Sequence, residues 1–310
     1  MRTTVGLTLC YLLLGLCAVA GSFSAIANDA SKSQFFQRDG LSISTKYSQL
    51  MEADRRKRKT ANSPVVLDAV GQIIVLRADK RRNKCSGSLI ATVPGASSRV
   101  IQSAGHCFGN TNNGEKFDID RIIWRSALMT GQTIEKELTL KQLDLKGDSA
   151  LLTFKDKIPF RVIKPLLVES EITLDPMDML FYNEDAKIIA AGFSSDFYKG
   201  ADGNVLTYDE DIHLKDIRGN SVHYDRFNFL MNTVAFNGAS GGALMIYTDL
   251  TDEDIENPYQ QWFYIGTLIQ IDGSGSKFYG RPDRSQIGSK ITVMRGYDTI
   301  DHALVQQLNQ

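Results

Sequence analysis

Short apolar runs recur from residue 64 onwards, each closed by polar or glycine-containing turns. Ile73-Ile74-Val75-Leu76, Ser88-Leu89-Ile90, Val100-Ile101, Ile122-Ile123-Trp124 and Ala150-Leu151-Leu152-Thr153-Phe154 come first. After a linker near Lys157 to Pro165 the pattern resumes with Ile188 to Phe193, Phe229-Leu230-Met231, Ala243 to Tyr247, Phe263 to Gly266 and Ile291 to Met294. Many short strands at this spacing predict an all-β barrel or sandwich. Only the end departs from it. Ile300, Ala303, Leu304 and Leu308 stand at helical spacing and predict a terminal helix over 298–308.

The chain of 310 residues is 43% hydrophobic and 23% charged, enough for one large domain or two modest ones. A formal net charge of -1 gives no bulk attraction to nucleic acid or to a membrane surface. Two basic clusters, Arg55 to Lys59 and Lys80 to Lys84, read as solvated loops, and the first also as a processing site. At the N-terminus, Arg2, the apolar run Val5 to Ala20 and the small-residue site Ala25-Ile26-Ala27 predict a signal peptide over 1–27. The mature protein is therefore expected to be secreted, to the periplasm or the medium, and free of the membrane. Residues 28–63 are polar and irregular and read as a pro-segment or N-terminal extension. Cys10 and Cys17 leave with the signal, and the remaining pair, Cys85 and Cys107, is expected to form a disulfide. The acidic run from Asp249 to Glu256 fits no ligand loop and reads as a hairpin tip, so neither a metal nor a cofactor is expected.

The stretch Asn237-Gly238-Ala239-Ser240-Gly241-Gly242-Ala243-Leu244 carries the chemical signal. A serine between glycines suits a nucleophile on a tight turn, where the backbone N–H groups can approach a substrate carbonyl. A serine hydroxyl also needs a base, and the base needs an orienting group. Of four histidines, His106 stands in Ser103-Ala104-Gly105-His106-Cys107, where a disulfide at Cys107 would brace it. His213 and His223 read as surface or structural residues.

With Cys85-Ser86-Gly87-Ser88-Leu89-Ile90, Ser103 to Cys107, Asp148-Ser149-Ala150-Leu151-Leu152 and Gly238 to Gly242 in this order, the sequence resembles the trypsin/chymotrypsin-like serine proteases. Ala-Gly-His-Cys is nearer to bacterial secreted members, glutamyl endopeptidases among them, than to digestive trypsins. The resemblance spans about Pro64 to Gln310. It implies two six-stranded antiparallel β-barrels, about 64–160 and 175–296, with the active site between them and the helix at the end. It implies Ser240 as nucleophile, His106 as general base, Asp148 as the orienting acid, and the N–H groups of Gly238 and Ser240 as the oxyanion hole. Asp144 is the rival acid. Polypeptides are the implied substrates and a monomer the implied state.

Two departures bear on mechanism. Ala239 replaces the family's usual aspartate before the serine, so a newly cut N-terminus has no carboxylate to meet there. Activation is expected to be simple removal of the pro-segment near Arg55 to Lys59. Val234 stands where trypsins carry an acid, and with Gln270 it predicts an apolar or small specificity pocket. Two other readings fit parts of the chain. Gly238-Ala239-Ser240-Gly241-Gly242 also matches the elbow of α/β-hydrolase esterases, with Asp272 or Asp283 and His302 completing a triad. A catalytically silent protease fold used as a binding module is the other.

Overall fold

The computed structural model describes residues 50, 52–168, 186–196, 198–213, 217–218, 228–248, 261–271, 276–281, 284–289, 292–296 and 300–310. The signal segment, His223, the acidic run 249–256, Asp272 and Asp283 lie outside them. The first half contains β1 (Lys57–Arg58), β2 (Val70–Arg77), β3 (Arg82–Ala91), β4 (Ser98–Ser103), β5 (Gly109–Asn110), β6 (Glu115–Lys116), β7 (Ile119–Ala127), β8 (Thr133–Asp144), β9 (Ser149–Ile158) and β10 (Leu166–Leu167). The second half contains β11 (Lys187–Gly192), β12 (Thr207–Ile212), β13 (Ile217–Arg218), β14 (Asn228–Met231), β15 (Ala235–Phe236), β16 (Ala243–Thr248), β17 (Gln261–Ile271), β18 (Ser276–Arg281), β19 (Arg284–Ser289) and β20 (Thr292–Gly296).

Strands β2, β3, β4, β9, β8 and β7 pair antiparallel in a ring that closes where β7 meets β2. Closure leaves this barrel no free edge. Its interior is filled by Trp124, Ile73, Leu89, Ile101 and Leu152, all fully buried. The apolar runs of the sequence supply these residues, each presenting alternate side chains inward.

The strands of the second half run in the order β12, β11, β16, β17, β20 and β14, and no pairing among the described residues joins β12 to β14. Short strands occupy those two edges instead: β1 lies on β12 and β13 on β14. The described residues thus show one closed ring and a further antiparallel array, and a second closed barrel is not seen among them. The two-residue strand β10 joins the halves in parallel pairings, Leu166 with Ile90 and Leu167 with both Ala91 and Phe263.

The basic cluster at Arg55 to Lys59 is not a solvated loop. Lys57 and Arg58 point to solvent from β1, while Arg56 is buried. Arg55 meets Asp209 at 3.2 Å, and the Lys59 ammonium meets Asp68 at 2.6 Å. Residues 54–59 are therefore built into the domain that was expected to begin at residue 64.

The terminal helix is shorter than expected. Helix α1 spans His302–Leu308, because Asp301 caps it by accepting the Leu304 N–H at 2.9 Å. The helix docks on the barrel where Arg99 donates from Nε to the Leu308 carbonyl at 2.6 Å and from its backbone N–H to Asn309 Oδ1 at 3.1 Å.

Cys85 on β3 and Cys107 are joined by the expected disulfide across a sequence separation of 22 residues. A loop of that size restricts the unfolded chain by about 3 kcal/mol. The double variant Cys85→Ala/Cys107→Ala should lose about that much unfolding free energy in guanidinium titration. An unchanged midpoint and slope would contradict the crosslink's role.

Candidate active site

The ends of neighbouring strands place His106 and Asp148 together. Ser103, the last residue of β4, is registered with Ala150 near the start of β9. His106 follows in a single 3-10 turn, Gly105–Cys107, and Asp148 lies just before β9. The close approach needs a glycine: a Cβ at Gly105 would lie 2.9 Å from the Asp144 carbonyl oxygen and 3.0 Å from the Ser149 nitrogen.

The Asp148 carboxylate receives three contacts from one residue. His106 donates its backbone N–H to Oδ1 at 2.8 Å, and its Nδ1 stands 3.0 Å from each carboxylate oxygen. Asp148 sits at φ 52°, a left-handed conformation that a non-glycine residue enters at a cost. Such strain persists where neighbouring structure fixes it, and here the contact with His106 does so. The rival Asp144 instead accepts the Gly147 N–H at 2.8 Å and closes the turn between β8 and β9.

Ser240 lies between β15 and β16 on the glycine turn. Gly238 has φ 91° and Gly241 φ 83°, conformations open to glycine at little cost. Space is as restrictive as angle. A Cβ at Gly238 would lie 2.7 Å from the Phe193 carbonyl oxygen, and one at Gly241 would overlap the Ser86 carbonyl oxygen. Among the described residues, the N–H groups of Gly238 and Ser240 have no protein acceptor. Nor does a hydrogen bond join the Ser240 hydroxyl to the His106 ring among them.

A residue that the sequence did not single out binds this turn to the barrel. Ser86 is fully buried on β3, beside Cys85. It donates its backbone N–H to the Ser240 carbonyl at 2.7 Å and its hydroxyl to the Gly238 carbonyl at 3.0 Å. The same hydroxyl accepts the Phe193 N–H at 2.8 Å, and the Ser86 carbonyl accepts the Ser103 hydroxyl at 2.7 Å. Ser86 is next to Cys85, Cys85 is bonded to Cys107, and Cys107 is next to His106. Serine turn and histidine turn thus hang from one covalent brace. Behind it, Gln102 of β4 donates from Nε2 to Ser149 Oγ at 3.1 Å and Thr267 Oγ1 at 3.4 Å, tying the histidine strand to both halves. Burial pushes the neighbouring Tyr264 phenol far above its usual range, so it stays protonated in its 2.6 Å contact with Thr267.

The other sequence candidates are placed as follows. Val234 is buried against Leu50 and Phe236, so its side chain is committed to packing. Gln270 lies on β17, registered with Val293, and its side chain is outside the described residues. His213 is exposed beside Asp211 at 3.3 Å. His302 opens α1. Strand β16, not a helix, follows Ser240, which an esterase elbow does not allow.

The chain is similar to solved protease structures. The crystal structure of protease Anisep from Arthrobacter nicotinovorans superposes with a TM-score of 0.48 at 11% identity, covering 78% of this chain and 93% of that one. A thermostable serine protease, AL20, from an extremophilic microorganism gives a TM-score of 0.45 at 14% identity, covering 75% and 92%. No protein-family model matches the sequence, and no curated protein does.

Ser86→Ala removes one donor and one acceptor and leaves the Phe193 N–H and Gly238 carbonyl without their partner. The expected loss is about 2–4 kcal/mol of unfolding free energy in urea titration. A variant as stable as the parent would show that the clasp is incidental.

Proposed function

We propose that the chain is a secreted serine endopeptidase, exported by a signal peptide over 1–27, in which His106, Asp148 and Ser240 form the catalytic triad. The observation that carries the reading is the His106 ring held by Nδ1 at 3.0 Å from both oxygens of Asp148. That contact fixes the tautomer with the proton on Nδ1 and leaves Nε2 as the base.

The steps follow from this arrangement. Ser240 Oγ attacks the scissile carbonyl while His106 Nε2 takes its proton. The carbonyl oxygen becomes an oxyanion and accepts from the N–H groups of Gly238 and Ser240. The imidazolium then gives its proton to the leaving amine, and an acyl-enzyme remains on Ser240. Water, deprotonated by the same imidazole, attacks the ester, and His106 returns the proton to Ser240. Asp148 stabilises the imidazolium throughout. The serine–histidine hydrogen bond forms as substrate binds, since such contacts are commonly longer in the unliganded enzyme.

Polypeptides are the proposed substrates and a monomer the proposed state. Residues before and after the scissile bond would lie between the closed barrel and the second half of the chain. With Val234 buried, nothing at that position offers a carboxylate to a basic side chain, and an apolar or small residue is the proposed preference.

A pool of quenched fluorescent peptides tests the reading. Ser240→Ala and His106→Ala should lose turnover, Asp148→Asn should lower kcat by about 10⁴-fold, and His302→Ala should leave it intact. Loss on changing His302, with His106→Ala fully active, would overturn the assignment.

A further inference from the structure

Ala239 is buried and offers only a methyl group, so a charge is not available inside the serine turn to fix it. A charge stands directly beside the turn instead. Arg56 is 5% exposed, and its guanidinium reaches two carboxylates. Nε and Nη2 donate to Asp54 at 2.9 and 2.8 Å, and Nη1 donates to Asp196 at 2.9 Å. Its Cζ lies 4.9 Å from the ring centroid of Phe236, the residue that enters the turn.

Asp196 passes this anchorage on. Its second oxygen accepts the N–H groups of Lys199 at 2.7 Å and Gly200 at 3.0 Å, which ties 198–200 to the loop residues 193–196. In that loop Ser195 donates its N–H to the Asn237 carbonyl at 2.7 Å, and the Phe193 carbonyl packs against Gly238. The loop and Phe236 therefore bound the serine turn on two sides, and Arg56 holds both. Charge balances within the cluster. Asp54 and Asp196 face Arg56 and Lys199, whose ammonium lies 3.5 Å from Asp54. Burial would lower the arginine's proton affinity, but the hydrogen bonds it donates to Asp54 and the charges of both carboxylates outweigh it and raise it. A paired buried cation of this kind is strongly felt when one partner is removed. Leu50, Val234 and Phe236 pack together beside it, so the segment that carries Arg56 also contributes apolar contact beneath the turn.

We propose that Arg56 is a positioning residue for the oxyanion turn, a strut internal to the chain that holds residues 193–196 and Phe236 against 237–240 without a newly cut N-terminus. The inference rests on the protease reading above. It also reverses the expectation of activation by cutting near Arg55 to Lys59. A cut before Leu50 leaves the strut whole, whereas a cut at residues 55–58 separates Arg56 from Asp54 or from β1, which pairs with β12.

The test uses residues 28–310 with wild type, Arg56→Lys and Arg56→Ala, measuring kcat and KM on a peptide substrate and amide hydrogen exchange. Lysine keeps the charge but not the fork that joins two carboxylates. Arg56→Lys should lower kcat by at least ~10-fold with KM within about 3-fold, because the fork acts through the oxyanion turn, which binds the transition state more tightly than the substrate. Exchange should quicken in 237–241 and at Ser86, whose N–H donates to the Ser240 carbonyl, and not in β2 or the rest of β3. Arg56→Ala should lower kcat further, and if it does not fold, the lysine variant decides. Unchanged kcat and turn exchange in the lysine variant would overturn the strut. So would exchange rising equally across the barrel, which marks a purely structural role. A wild type without turnover, combined with quickened exchange confined to 237–241 and Ser86 in the variant, keeps the strut and removes the protease reading.

Discussion

The Ser86 hydroxyl and backbone are the contacts on which the candidate site depends. A turn with two glycines at positive φ has no intrinsic reason to keep one shape. Ser86 fixes it at two carbonyls, those of Gly238 and Ser240, and steadies Phe193 with the same hydroxyl. Because Ser86 belongs to a closed barrel, the turn inherits the rigidity of that barrel. Because its neighbour Cys85 is bonded to Cys107, the histidine turn shares the same anchor. The glycines are then required by space: the Ser86 and Phe193 carbonyls stand where side chains would otherwise go. A tight clasp and small residues at the turn are two sides of one packing constraint.

A second constraint comes from the buried charges. Arg56, Asp54, Asp196 and Lys199 form a neutral set within the protein, and burying one member without the others would be costly. The set joins the N-terminal segment to residues 193–196 and 198–200, whereas β1 joins the same segment to β12 by backbone bonds. The lysine–aspartate pair Lys59–Asp68 continues the attachment toward β2. The segment before residue 64 is thus part of the wall around the serine turn, and its charges contribute to that wall.

Much of the fold was legible because strands announce themselves locally. The runs at Ile73, Leu89, Ile101, Ile122 and Leu151 became neighbours in one barrel, and β4 and β9 carried His106 and Asp148 together as their order suggested. The disulfide followed from the expectation of export and from the pair of cysteines outside the expected signal. Other features depend on contacts far along the chain. Nothing in Cys85-Ser86-Gly87 marks Ser86 as the residue that receives the serine turn. Five consecutive basic residues hide which of them is buried, since that is decided by Asp196 and Asp209, well over a hundred residues away. The edge pairings of the second half were also hidden, because β1 on β12 and β13 on β14 are strands of two residues, too short to read from pattern. Val234, read by position as lining a pocket, is drawn into packing by Leu50, a residue from the segment thought separable.

The central claim is that Ser240 is an activated nucleophile rather than an ordinary turn serine. Treatment of the folded mature protein with a fluorophosphonate, followed by peptide mass mapping, addresses it directly, because this reagent forms a stable adduct only where a base and oxyanion donors assist the serine. One adduct per chain, on Ser240, is the predicted result. No adduct, under conditions that label a known serine protease, or an adduct on another serine would contradict it.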